Sequence, residues 1–332
     1  VTQSFWEGKQ VLITGAGGFI GSHLTEKLVN QGAKVRAFVR YNSRNDPGLL
    51  RLLSGDLWNE IEVISGDLRD LATIQKAMGK VSHVFHLAAL IAIPYSYLHP
   101  AEVVETNIMG TLNVLLAARE AQVTRVVHTS SSEVYGTALR VPIDESHPLQ
   151  GQSPYSASKI GADKIAESFY AAYNLPVVTL RPFNTYGPRQ STRAVIPTLI
   201  TQALKNGTLH VGNLDAKRDF TYVDDTVEGF LKIASTPNIE GSTINLGTGT
   251  EIRIGDLAKK IISMVGKPIK IQVDPIRLRP EKSEVNRLLS NNKLALERLG
   301  WKPEVTLDDG LCQTMDWLKD NLSIYASDHY VV

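Results

Sequence analysis

Through the first half of the chain, short apolar runs alternate with longer stretches whose apolar positions recur at helical spacing. The runs VLITGA (11–16), VRAFVR (35–40), IEVIS (61–65), HVFHLA (83–88), RVVHTS (125–130) and VVTLRP (177–182) are short and apolar on both faces, which predicts buried parallel strands. Helical patterns fall between them at 20–31, 71–78, 101–121 and 154–173. Such alternation predicts an α/β fold, an open doubly wound parallel sheet with ligands at the carboxyl ends of its strands. After Pro182 the rhythm changes. A helical stretch at 195–206, a strand TINLG (243–247) returning to the main sheet, and three short helical patterns in 255–332 predict a smaller second α/β domain. The expected division is 1–182 plus about 222–250 for the first domain, and about 183–221 plus 251–332 for the second.

Composition narrows the function classes. The 332 residues carry 35 Lys+Arg against 34 Asp+Glu, a net charge of +1, with no long basic run. That balance argues against nucleic acid or a membrane surface as the main partner. The single cysteine, Cys312, cannot form an internal disulfide, and no apolar run is long enough to span a bilayer. The opening VTQSFWEGKQ has no Met and lacks the basic-then-apolar layout of a signal peptide, so a cytoplasmic location is expected. No residues show metal-ligand spacing; His86 and His128 lie inside strand patterns and read as core histidines.

The first strand runs into Gly15-Ala16-Gly17-Gly18-Phe19-Ile20-Gly21 and then a helix. Gly15 permits a tight turn, Gly18 a close approach of backbone to a pyrophosphate, and Gly21 close helix–strand packing; the helix start supplies N–H donors. The strand–turn–helix context makes this a dinucleotide site. At the end of the second strand, where an acid would select a ribose hydroxyl, the chain reads Phe38-Val39-Arg40-Tyr41-Asn42-Ser43-Arg44. Arg40, Ser43 and Arg44 suit a 2′-phosphate, which favours NADP over NAD; the alternative is two solvated loop arginines. Asp67 after the third strand either meets the adenine or closes a turn.

Tyr155 and Lys159 stand four apart on one helix face, where an ammonium favours a phenolate able to take a hydroxyl proton. Ser131, Ser132 and Glu133 follow the strand at 125–130 and bring hydroxyls and one carboxylate to the same sheet edge.

The motifs GAGGFIGSH, HLAA, TSSSEVYG, SPYSASK and RPFNTYGPRQ resemble those of the extended short-chain dehydrogenase/reductases, the NAD(P)-dependent sugar-nucleotide epimerases and dehydratases, from about residue 9 to residue 318. The resemblance implies a seven-stranded Rossmann-like domain, a small sugar-nucleotide-binding domain, and a homodimer formed through a four-helix bundle of 101–121 and 154–173. It also implies cofactor contacts from Phe19, Ile20, Leu68 and Ala88. Epimerases of the family generally lack a glutamate at the position of Glu133. Glucose-type 4,6-dehydratases carry an Asp-Glu pair there, and Ser132 replaces the aspartate in this chain. The hydroxyl-Ser-Glu pattern is shared by GDP-mannose 4,6-dehydratases and UDP-glucuronate decarboxylases. ALIAIPYSY, SPYSASKIGAD, RPFNTYGPRQSTRAVIPT and RPEKSEVNRL look most like NDP-N-acetylglucosamine 4,6-dehydratases of the legionaminic-acid pathway, a group often described as NAD-dependent.

For the nucleotide sugar, Arg218 and Arg279 are candidate pyrophosphate ligands, with Asn184 donating to it, and Glu281 or Glu284 a ribose contact. Arg193 and Val195 fall in the matching motif. The apolar segment from Ile91 through Tyr95 to Tyr97 reads either as a wall of the sugar site or as core packing. The predicted activity is a nucleotide-sugar 4,6-dehydratase. Alternatives are a 4-epimerase, a decarboxylase, a 5,6-dehydratase, and, least favoured, a non-enzymatic dinucleotide-binding module.

Overall fold

The apolar runs pair into one seven-stranded sheet. The computed structural model describes residues 4–205 and 207–325. Across the sheet the order is Thr243–Leu246, Val177–Pro182, Arg125–Thr129, His83–His86, Gln10–Thr14, Lys34–Arg40 and Ile61–Gly66, and every neighbouring pair is parallel. Val11, Ile13, Phe85, Val127 and Val178 face one helical layer, and Leu12, Val84 and Val126 the other; all are buried. That is why the runs are apolar on both faces.

From Gln10–Thr14 the sheet first grows through Lys34–Arg40 to Ile61–Gly66. The chain then crosses over and lays His83–His86 against the opposite side of Gln10–Thr14. A crevice opens at the carboxyl ends of the strands where the order reverses. The glycine turn follows Thr14, and the segment after His86 forms the facing wall.

The helix Pro154–Tyr173 starts where its cap dictates. Ser153 Oγ accepts from Ser156 N at 3.0 Å, Ser156 Oγ accepts from Ser153 N at 2.9 Å, and Pro154 occupies the first turn. The stretch predicted as one helix at 101–121 instead passes from Pro100–Val104 through a wider π turn at Glu105–Met109 into Gly110–Glu120. The buried Asn107 amide in that turn accepts from Leu90 N (2.8 Å) and donates to Leu90 O (3.0 Å) and Ser158 Oγ (2.9 Å). It ties the crevice wall to the helix that carries Tyr155.

Beyond Pro182 the chain makes Thr243–Leu246 at the edge of the main sheet, as the apolar run predicted. It also makes small sheets: Asn184–Tyr186 with Phe220–Tyr222, Thr208–Val211 with Lys270–Val273, and Lys217–Arg218 between Ile252–Arg253 and Arg287–Leu288. Helices Ile254–Val265, Lys293–Leu299 and Leu307–Asp320 match the three late helical patterns. One apolar cluster runs from Val11 and Ile13 through Phe230 to Leu257, Trp301 and Leu318. No helix among the described residues is long and apolar enough to cross a membrane.

Candidate active site

A cleft of about 740 Å³ runs along the carboxyl ends of the strands, from the glycine turn past residues 87–94 to residues 129–133, Tyr155 and Arg279. Gly15 has φ +75°, and a Cβ there would lie 2.8 Å from Ala88 N; a Cβ on Gly21 would overlap the Gly15 carbonyl oxygen. The sequence therefore needs glycine at both places to close the turn. Gly18, Phe19, Ile20 and Gly21 line the cleft and begin the helix Phe19–Asn30. The first N–H groups of a helix have no intrahelical acceptor and form an anion site. This bare-backbone cradle fits a dinucleotide pyrophosphate.

Farther along, Ala88, Asp67, Leu68 and Arg40 also line the cleft. Asp67 is clasped by Arg69 (Nε–Oδ1 3.0 Å, Nη2–Oδ2 2.7 Å), whose hydrogen bonds hold the carboxyl below its usual range. Arg40 is 68 % exposed and lies 3.4 Å from Glu102. Ser43 and Arg44 depart from the phosphate-site expectation. They lie in an exposed turn outside the cleft lining, where Asn42 Oδ1 accepts from Arg44 N (3.2 Å) and Asp46 N (3.0 Å). Tyr95 is likewise turned elsewhere: its hydroxyl donates to Glu102 and its ring stacks on His99 at 4.5 Å, so it is absent from the lining.

Ser131, Ser132, Glu133 and Tyr155 meet in the cleft. A short helical turn, Ser132–Tyr135, follows the strand Arg125–Thr129, and Ser131 caps it by accepting from Glu133 N at 3.2 Å. Lys159 sits beneath the lining and donates from Nζ to Thr129 O at 2.6 Å. Burial pulls its ammonium down to about 8, with Asp163 opposing. The lowered Tyr155 phenol expected from the sequence is not found. Burial pushes it up to about 12; a hydrogen bond with Ser131 opposes this, and the charges of Glu133 and Asp163 add to it. Burial of the ring outweighs the Ser131 hydrogen bond.

Behind these residues is a polar node that the motif reading missed. Asp163 accepts from His128 Nε2 (3.0 Å), Ser130 Oγ (2.7 Å), Arg181 Nε (3.2 Å) and Arg181 Nη2 (2.9 Å); Arg181 Nη1 also donates to Tyr135 Oη at 2.9 Å. The signal was present, because Asp163 stands four residues beyond Lys159 on the same helix face. His86 is held by Thr14 (2.8 Å) and Thr111 (3.0 Å) in the buried layer, which matches its reading as a core residue.

At the other end, Ile91, Asn184, Arg193 and Arg279 line the cleft. Asn184 Oδ1 is buried without a hydrogen-bond partner, so the atom left over there is an acceptor. Arg218 lies behind the lining, buried, with Nη1 donating to Lys217 O at 3.0 Å and Nη2 3.7 Å from Glu284. Val195 begins the helix Val195–Lys205 and Glu281 sits on an exposed turn; neither reaches the lining.

Residues 12–314 match the family model described as GDP-mannose 4,6 dehydratase. A UDP-glucose 4-epimerase of Mycolicibacterium smegmatis is 33 % identical over 94 % of this chain and 99 % of its own length. The human dTDP-D-glucose 4,6-dehydratase is 30 % identical over 94 % of this chain and 91 % of its own. The crystal structure of DesIV, a dTDP-glucose 4,6-dehydratase from Streptomyces venezuelae solved with NAD bound, superposes with a TM-score of 0.86 at 29 % identity, covering 95 % of this chain and 98 % of that one. With its glycine cradle, parallel sheet and Tyr155–Lys159 helix, the chain belongs to the extended short-chain dehydrogenase/reductase family of NAD-dependent sugar-nucleotide epimerases and dehydratases.

Proposed function

We propose that the protein is a nucleotide-sugar 4,6-dehydratase that converts an NDP-N-acetylhexosamine, UDP- or GDP-linked N-acetylglucosamine, to its 4-keto-6-deoxy derivative. The observation that carries this reading is the carboxylate of Glu133, which lines the same cleft as Ser131 and Tyr155. The apolar wall from Ala89 to Pro94 suits an acetamido methyl group beside the sugar.

Tyr155 reacts as the phenolate, so the proton that burial holds on it must leave before it takes the O4 proton; Ser131 shares its oxygen. The bound dinucleotide supplies a hydride acceptor for C4 and a donor for C6, so the reaction has no net redox change. Lys159, one helical turn beyond Tyr155, holds the Thr129 carbonyl. Oxidation to the 4-ketone acidifies C5–H. Glu133 removes that proton and delivers it to the departing O6 as water, with Ser132 orienting O6 or the carboxylate; C5 is re-protonated from solvent as C6 is reduced, and Tyr155 gives up the proton it took from O4. General acid–base work of this kind contributes ~10²–10⁴-fold.

For the cofactor, the case for a 2′-phosphate rests on Arg40 alone, and Glu102 competes for it. The placement of Ser43 and Arg44 moves the reading from NADP to NAD. A homodimer pairing the helices of 100–120 and 154–173 is supported by Val104, Met109, Tyr170 and Tyr173, which are exposed on them.

The second reading is a 4-epimerase, favoured by Ser132 in place of the dehydratase aspartate and by the epimerase relative. Incubating the protein with a panel of nucleotide sugars and weighing the products separates the reactions. Loss of water with a ketone at C4 supports the proposal. An isobaric isomer, loss of carbon dioxide, or a 5,6-alkene with C4 re-reduced would replace it by the epimerase, the decarboxylase or the 5,6-dehydratase. Tyr155→Phe is expected to stop cofactor reduction. Glu133→Gln is expected to permit it while water loss drops at least ~10²-fold; near-normal turnover would remove Glu133 from its role.

A further inference from the structure

Two guanidinium groups and two carboxylates meet at the sugar end of the cleft and just behind it, Arg279 and Glu133 in the lining and Arg218 with Glu284 beyond it. Arg279 Nη1 lies 3.8 Å from Glu133 Oε2, and Arg218 Nη2 lies 3.7 Å from Glu284 Oε1. The charges of Glu133, Arg279 and Glu284 all act on Arg218, so the four form one electrostatic group. Both pairs are too long for a hydrogen bond. Arg279 Nη1 is buried and has no hydrogen-bond partner, although it faces a carboxylate. A buried guanidinium donor left unpaired is costly, and a planar fork of this type matches phosphate oxygens two at a time. Glu133 is only 12 % exposed, so water does little to screen its charge from the guanidinium. The cluster is neutral as it stands, and the two negative charges of a sugar-nucleotide diphosphate would match its two arginines.

We propose that Arg279 is shared between Glu133 and the substrate's diphosphate, so that nucleoside-diphosphate binding draws the guanidinium off Glu133 and frees the carboxylate for the sugar. This rests on the reading of Glu133 as the acid–base residue. The nucleotide half of the substrate then does more than anchor. A free hexose, lacking the diphosphate, meets a carboxylate still facing arginine. Arg279 thereby gains the close acceptors that its buried Nη1 lacks, while Glu284 is released from Arg218 to face the ribose.

Sharing implies competition, which binding alone can measure. Titrations of UDP, GDP and dTDP into the NAD-loaded full chain, followed by calorimetry, would be compared for wild type, Glu133→Gln, Arg279→Gln and the double variant, with Arg279→Lys as a second background and circular dichroism to check folding. Glu133→Gln is expected to tighten the preferred nucleoside diphosphate ~3- to 10-fold by freeing Arg279. In either Arg279 background the same substitution is expected to change affinity less than ~2-fold. Unchanged affinity in Glu133→Gln, an equal gain in all backgrounds, or no binding of any of the three nucleotides at millimolar concentration overturns the exchange. Water loss by Glu133→Gln tests the acid–base role separately, so the two ideas can fail independently.

Discussion

Removing the Asp163 carboxylate is expected to destabilise the protein by ~3–5 kcal/mol, because it strands a buried charge. Asp163 is 4 % exposed and its main cation, Arg181, 7 %. Burial pushes the Asp163 carboxyl up, but the His128 hydrogen bond and the charges of Arg181 and Lys159 overcome this and hold it at about 2, against an ordinary 3.8. By linkage, that depression makes the ionised form worth roughly 2 kcal/mol. This is a floor for truncation, since a protonated carboxyl would still accept hydrogen bonds. For a protein stable by ~5–15 kcal/mol, either figure is large. Urea unfolding of Asp163→Ala, Asp163→Asn, Arg181→Met and the Asp163→Asn/Arg181→Met pair measures it. Asp163→Asn is expected to cost less than Asp163→Ala, and the double variant less than the sum of its parts. The sign with pH follows from the depressed value: this contribution is intact above pH 4 and disappears as pH falls towards 2. A loss below ~1 kcal/mol in Asp163→Ala, or strict additivity in the pair, would refute the reasoning.

Other expectations follow from particular contacts. Gly21→Ala should weaken NAD binding at least ~10-fold in a fluorescence titration, since its methyl group would overlap the Gly15 carbonyl and open the turn; unchanged affinity would remove the steric argument. Burial holds His83 down to about 4, His86 well below its ordinary value and His128 lower than usual, so each takes up a proton less readily in the fold than unfolded imidazoles, which protonate near 6.5. Stability should be level above that value and fall below it, by up to about 1.4 kcal/mol per histidine per pH unit; equal Tm values at pH 7.5 and 5.5 would contradict this. Arg40→Ala should weaken NADP more than NAD in calorimetry, and equal effects would end any role for Arg40 with a 2′-phosphate.

The glycine turn and the strand runs were legible in the sequence because they are local. A turn that needs φ +75° at Gly15, or a strand buried on both faces, writes its requirement into consecutive residues. The Tyr155–Lys159 pair was legible for the same reason, as a helix fixes what lies four residues apart. Where charges would meet was not. Arg279 reaches Glu133 across 146 residues of chain, Tyr95 gives its hydroxyl to Glu102 and not to the sugar wall, and Ser43 and Arg44 follow a turn set by Asn42. The phenol of Tyr155 titrates according to how much water surrounds it, and burial raised it where the neighbouring lysine predicted a fall. Backbone geometry depends on the next few residues, whereas electrostatic partnership and desolvation depend on which distant segments the fold brings together.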